Sequence, residues 1–172
     1  LVNMTRPDLA FSFSQLSKFL QHPGDTHLAA AYRVLAYVRG TVTQGIDFHD
    51  PRAEKRNTLS GWVDSDFASD VDTRRSITGY LLTLNSGPIS WKAARQGGVT
   101  LSSSEAEFVA ASQAGKEILY LRALLKGFAC PQQKPTEIWE DNASCILMSG
   151  IPLIATWMCV SISCVTWYET AR

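Results

Sequence analysis

No charge of either sign prevails in this chain: sixteen Lys and Arg face sixteen Asp and Glu, and the formal net charge is zero. That balance excludes recruitment of nucleic acid by a global basic field, so any such binding has to come from local groups. Cysteine is scarce and poorly arranged for chemistry. Cys130, Cys145, Cys159 and Cys164 all fall in the last quarter without a Cys-x-x-Cys pair, which excludes a disulfide framework or a zinc finger. They read as reduced thiols of an intracellular protein. His22, His27 and His49 stand at no metal-ligand spacing. No secretory-signal pattern opens the sequence, and because it starts in mid-pattern at Leu1 we expect a piece of a longer polypeptide. What the chain does have is 45% hydrophobic and 10% aromatic residues over 172 positions, enough for one ordinary domain, or one plus a fragment of another.

Residues 1–50 read as two helices and a short strand. Thr5-Arg6-Pro7-Asp8 is a helix-start cluster, after which Leu9, Phe13, Leu16 and Leu20 recur at helical steps until His22-Pro23-Gly24 breaks the run. Asp25 or Thr26 can cap a second helix with the apolar face Leu28, Ala31, Tyr32, Leu35 and Val38, ending at Gly40. Residues 45–48 look like a strand, and residues 51–58, with Pro51 and clustered charges, look like a linker. From Leu59 the texture changes. Strands are expected over 59–67, 79–84 and 88–92, with turn chemistry at Asn85-Ser86-Gly87. Ser102-Ser103-Ser104-Glu105 then caps a long helix whose apolar positions are Phe108, Ala111, Gly115, Ile118, Leu119, the Arg122 stem and Leu125, ending at Gly127. A fourth strand over 135–140 and a short helix over 142–149 follow. Three strands before the first long helix, then an alternating unit, predict an α/β domain with a mixed sheet over residues 59–150.

Three acids stand where chemistry could use them: Asp64 inside the first strand, Glu107 in the first turns of the long helix, and Asp141 at the end of the fourth strand. A carboxylate in an apolar strand is costly unless it is paired or holds a metal. If the three converge, a hard oxygen site for Mg²⁺ follows, and two such ions would suit phosphodiester hydrolysis. Helix-start acids also serve as caps or dipole partners, so Glu105 and Glu107 both remain open as the helix acid.

The strings themselves go further. Gly61-Trp62-Val63-Asp64-Ser65-Asp66-Phe67-Ala68-Ser69-Asp70, Asp72-Thr73-Arg74-Arg75-Ser76-Ile77-Thr78-Gly79-Tyr80 and Ile89-Ser90-Trp91-Lys92 resemble the ribonuclease H domain of copia-type retrotransposon Pol polyproteins. Leu101-Ser102-Ser103-Ser104-Glu105-Ala106-Glu107-Phe108 and Glu140-Asp141-Asn142-Ala143-Ser144 continue the likeness in order, and Thr5-Arg6-Pro7-Asp8-Leu9-Ala10 resembles the segment joining the reverse transcriptase to that domain. The resemblance implies a ribonuclease H-like fold preceded by a small helical segment. It implies an endonuclease that cuts the RNA strand of an RNA–DNA hybrid, located in cytoplasmic retrotransposon particles beside the reverse transcriptase and integrase of the same polyprotein. It carries the catalytic metal-ligand role to Asp64, Glu107 and Asp141, with two Mg²⁺ as cofactor and Mn²⁺ as a substitute. Glu107 is preferred over Glu105 because Ala-Glu-Phe-Val-Ala matches the superfamily's helix register. Asp66, two residues on, is a secondary acid on the same strand face as Asp64. Arg74, Arg75, Lys92 and Arg95 are candidate phosphate contacts, since hybrid recognition runs through backbone and 2′-hydroxyls. Trp62 and Trp91 read as core. An integrase of the same superfamily fits less well, because the lead-in and Ile-Ser-Trp-Lys segments belong with the reverse transcriptase side.

The likeness stops after Met148. Residues 151–172 carry two charges, Glu169 and Arg172, and no Asp or His, where copia-type domains supply a basic segment and a last metal-binding aspartate. Residues 151–168 are eighteen positions without a charge, the lower limit of a membrane span, but Pro152 and several hydroxyls dilute them and no membrane association is expected. The shift in composition fits a reading-frame slip, and it sets a second reading beside the nuclease: a catalytically dead remnant of a decayed element. Reading the other frames of the coding DNA past Met148 is expected to recover a basic His/Asp segment. Its absence there would count against a frame slip.

Overall fold

The computed structural model describes residues 2–48 and 57–149. They form two compact units that divide between Ile46 and Asp47. Most of the expected 51–58 linker and all of the 151–172 tail lie outside the described residues. No helix among the described residues is long and apolar enough to cross a membrane.

The first unit is a 3₁₀ turn, Pro7–Leu9, followed by α1 (Ala10–Ser17) and α2 (Asp25–Gly40). The Thr-Arg-Pro-Asp cluster does more than start a helix. Arg6 is buried and spans from the Asp8 carboxylate, 2.8 Å away, to the Thr41 hydroxyl at 2.7 Å, with its guanidinium over the Tyr37 ring. Two sequence expectations fail here. Residues 45–48 are not a strand, since no described strand pairs with them. The face expected to be apolar on α2 is split: Ala31 and Val38 are half-buried, whereas Leu28, Tyr32 and Leu35 are exposed. A helix apolar on most sides presents two such faces, and α1 covers the one that runs through Ala31, Val34 and Val38.

The second unit is an α/β layer. β1 (Leu59–Asp66), β2 (Ile77–Leu84), β3 (Gly87–Arg95) and β4 (Glu137–Trp139) form one sheet in the order β3-β2-β1-β4. The first three strands are antiparallel neighbours and β4 runs parallel to β1, so the sheet is mixed, as the element order predicted. Asn85 and Ser86 take φ of 54° and 69°, the paired left-handed residues of a tight hairpin between β2 and β3. Gly87 follows because the chain at Phe48 passes so close that a β-carbon would sit 2.7 Å from its Cα.

α3 (Ser103–Gly127) lies across one face of the sheet, and α4 (Ala143–Ser149) packs on α3. The Ser102 hydroxyl accepts from the Glu105 amide at 3.1 Å while the Glu105 carboxylate accepts from the Leu101 amide at 2.7 Å, a reciprocal cap that starts α3 where the sequence placed it. The face expected of α3 is right only at Ile118 and Leu125. The buried stripe is Ala106, Glu107, Ala110, Ala114, Ile118, Leu121 and Leu125, whereas Phe108 and Leu119 are exposed. Small residues at four-residue spacing let the helix axis approach the sheet closely, and that closeness outweighs burying the larger side chains at 108 and 119. Val63 packs against Ala110 and Ala114, and Leu59 and Leu82 against Ile118 and Leu121.

Gly61 sits in the same crowded layer: a β-carbon there would strike the Leu82 side chain and lie 2.9 Å from the Leu81 carbonyl oxygen. Gly61→Ala is therefore expected to cost about 1–3 kcal/mol of stability by urea unfolding. Gly79→Ala, whose β-carbon would meet only the Asp64 carbonyl at 3.6 Å, should unfold close to wild type. Equal tolerance at both positions would sink this account of the packing.

Candidate metal centre

Strand alternation and register place the acids. β1 buries Leu59, Gly61, Val63 and Ser65 and turns Trp62 and Asp64 to the opposite face. β4 pairs with β1 in parallel at Ser60↔Glu137, Gly61↔Ile138 and Trp62↔Trp139. Carried two residues further, that register sets Asp141 level with Asp64. Glu107 enters from the first turns of α3, at the end of its buried stripe. One ligand oxygen from each of Asp64, Glu107 and Asp141 lies within 4.8 Å of the others. The structure thus brings together the three carboxylates singled out from the sequence. It also separates the two candidate helix acids, since Glu105 is spent on the cap and Glu107, 5% exposed, joins the cluster.

The three acids act on one another electrostatically. Burial, and then the charge of Asp141, push Asp64 up to about 6. Burial, and then the charges of Glu140 and Asp64, push Glu107 up to about 8. Ser65 presents its hydroxyl toward Glu107 at a geometry short of a hydrogen bond, and Glu107 Oε2 is buried with no partner among the described residues. None of these acids has an ion-pair partner among the described residues. Carboxylates this close cannot all ionise without a compensating charge. The donor set, oxygen throughout, fits Mg²⁺ or Mn²⁺.

The remaining site candidates are scattered. Asp66 is exposed at the end of β1. Arg95 binds the buried Asp70 at 3.0 Å, and Asp70 also accepts from the amides of Asp72 and Thr73. Arg95 thereby helps hold the 67–76 loop. Arg74 (exposed, at φ 55°) and Arg75 (half-buried) ride on that loop. Lys92 donates to Gln113 on α3 at 3.1 Å. Trp62 stacks on Trp139 with centroids 4.7 Å apart, and both are half-buried, as is Trp91, so these rings are only partly core.

Sequence reasoning missed two contributors. Gln96 is buried, and its amide donates to the Thr78 hydroxyl at 3.1 Å and to the Ala106 carbonyl at 2.9 Å, anchoring the helix turn that carries Glu107. A lone Gln beside two glycines gives no signal of this. Glu140 stood inside a quoted motif without a role, yet burial pushes it up to about 7, with Asp141 and Asp64 adding to the shift.

Relatives decide the lineage. Over 147 residues, 84% of its length, the chain is 40% identical to the retrovirus-related Pol polyprotein from transposon TNT 1-94 of Nicotiana tabacum, of which it covers 10%. It is 34% identical over 156 residues, 90% of its length, to the retrovirus-related Pol polyprotein from transposon RE1 of Arabidopsis thaliana, again 10% of that protein. It is also 44% identical over 121 residues, 70% of its length, to the secreted RxLR effector protein 161 of Plasmopara viticola, of which it covers 83%. The chain is thus related to a stretch of the retrovirus-related Pol polyproteins of transposons, and it spans about a tenth of the length of those it matches. No protein-family profile and no solved structure matches it.

The raised carboxylates of the segment set a pH dependence. A carboxyl whose folded pKa lies above its unfolded value holds its proton longer in the folded state, so its contribution is present below the unfolded value and lost as pH rises. Without divalent cations, the melting temperature of the second unit should fall as pH rises from 5 through about 6 and 8, the Asp64 and Glu107 values. Glu107→Gln should flatten the fall and melt about 4 °C higher at pH 8.5 in EDTA. A wild-type melting temperature level across that range would refute the electrostatic description.

Proposed function

We propose that this segment is the ribonuclease H part of a copia-type Pol polyprotein, a metal-dependent endonuclease for the RNA strand of RNA–DNA hybrids. The observation that carries the reading is the convergence of Asp64, Glu107 and Asp141 from three separate elements, in the motif order of that domain. The mixed sheet with α3 on one face is compatible with it. Asp64, Glu107 and Asp141 would hold the cations. Two Mg²⁺, when bound, supply water activation and stabilisation of the leaving oxygen of a phosphodiester. The chain's own residues fix the geometry: the β1–β4 register aligns the two aspartates, and Gln96 and the Ser102–Glu105 cap set the Glu107 turn. Arg74 and Arg75 are the groups we assign to the nucleic-acid backbone, on a loop that Arg95 and Asp70 hold in shape. The reverse transcriptase and integrase of the same polyprotein are the proposed partners in cis.

A second reading rests on residues 151–172, which offer no Asp or His to such a centre. Under it the fold and the cluster persist in a remnant without turnover.

Cleavage of a labelled hybrid by the purified chain separates the two. The expected result is Mg²⁺-dependent cutting of the RNA strand that Asp64→Asn reduces on the order of 100-fold or more. A folded chain that binds Mn²⁺ but does not cut would assign the remnant, and one that binds no divalent cation at all would overturn the metal-centre reading.

A further inference from the structure

We infer that Glu140 is a fourth carboxylate ligand of the centre, forming with Glu107 a second divalent-cation position on the α3 side of the sheet. The inference rests on the metal-centre reading above and deepens it.

The backbone places Glu140 first. Continued past its last pair, Trp62↔Trp139, the parallel register that puts Asp141 level with Asp64 puts Glu140 level with Val63. Val63 faces α3, where it packs against Ala110 and Ala114, and Ile138, two residues before Glu140, packs in the same layer. Alternation therefore directs Glu140 to the α3 side and Asp141 to the side of Asp64.

The side-chain environment gives a second, independent reason. Glu140 Oε1 accepts from the Asn142 amide at 3.1 Å, which would be enough for a residue that only shapes the turn into α4. Its other oxygen, Oε2, is buried and has no hydrogen-bond partner among the described residues. Glu107 repeats the pattern from the facing helix: the residue is 5% exposed and its Oε2 is likewise buried without a partner. Glu140 is also the neighbouring charge that acts most strongly on Glu107. Two orphaned carboxylate oxygens on facing elements form a costly pair unless a cation lies between them.

Glu140 extends the first cluster rather than duplicating it, because it stands outside the group whose ligand atoms all fall within 4.8 Å of one another. The second position is placed instead on the two unpartnered buried oxygens of Glu107 and Glu140. Cys145 closes the inner wall, fully buried, with burial and then the charges of Glu140 and Glu107 pushing its thiol up to about 12. Its soft sulfur is a poor donor for a hard cation such as Mg²⁺, so the position is proposed on the carboxylate oxygens. Glu140 would thus give the centre a fourth acid that residues 151–172 do not contain.

The test counts bound Mn²⁺ on the full 172-residue chain by titration with MnCl₂, read by electron paramagnetic resonance of the free ion. Wild type is expected to bind two Mn²⁺. Glu140→Gln keeps the shape and the acceptor for Asn142, and it should bind one Mn²⁺ or bind the second about tenfold more weakly. Glu140→Asp, which keeps the charge on a shorter arm, should retain a weakened second site and checks the result if the glutamine variant melts early. The same count and affinity in wild type and Glu140→Gln would overturn the Glu140 assignment and leave the Asp64–Glu107–Asp141 centre standing. No Mn²⁺ bound by folded wild type would overturn both.

Discussion

The parallel pairing of β4 with β1 is three residues long, and the candidate centre depends on it. A slip of one residue would turn Asp141 away from Asp64 and bring Glu140 into its place, because side chains alternate between faces. So short a ladder has few hydrogen bonds of its own, and side chains fix its register from both ends. At the site end, Trp62 stacks on its register partner Trp139. At the other end, Arg122 of α3 donates to the carbonyls of Gln132 and Lys134 and to the Thr136 hydroxyl, which pins the approach to β4. Gln132 in turn accepts from the amide of Leu59, the first residue of β1. The role of Arg122 is thus to fasten the chain that delivers β4, beyond the apolar stem expected of it.

The second constraint is the distance between α3 and the sheet. Glu107 has a short reach, and a helix riding on leucines would hold it off the strand ends. Ala106, Ala110 and Ala114 remove that spacing at the N-terminal half of α3, while Ile118, Leu121 and Leu125 fill the wider C-terminal half. Close approach leaves polar groups buried between the layers, and several of these are joined to one another. Ser76 bonds Thr100 at 2.9 Å and accepts from the Ala68 amide, while Gln96 joins Thr78 to Ala106. Such a network is a demanding arrangement, because each member left unpaired costs desolvation, and it specifies one seating for the helix.

Much of this was legible from the residues. The four strands, the start of α3 at Ser102 and its end at Gly127 follow from alternation, turn residues and a capping box, all of them local signals. Periodicity misjudged which way the helices face, because it counts large apolar residues and α3 buries small ones. On α2 it named Leu28, Tyr32 and Leu35, which the described residues leave exposed. The three acids were singled out by the motifs they sit in, but their meeting depends on a strand register that no local pattern encodes. Gln96 and Glu140 stayed silent for the same reason: their partners are distant in sequence or come from the other side of the sheet.

The centre and the fold pull against each other. The core on the α3 side gains from every buried apolar atom, yet its open end holds Glu107 and Glu140 with one oxygen each buried and unpaired. Substituting either by an amide should ease folding and weaken the proposed cation binding, whereas the native acids store a cost that a bound cation would release. The 67–76 loop beside this end shows the opposite arrangement. There Asp70 is as buried as Glu107 but meets Arg95 and two backbone amides, so its charge holds structure together and attracts nothing further. The two buried acids thus differ in partners: Asp70 is spent on the fold, whereas Glu107 keeps an unpartnered oxygen for the proposed cation.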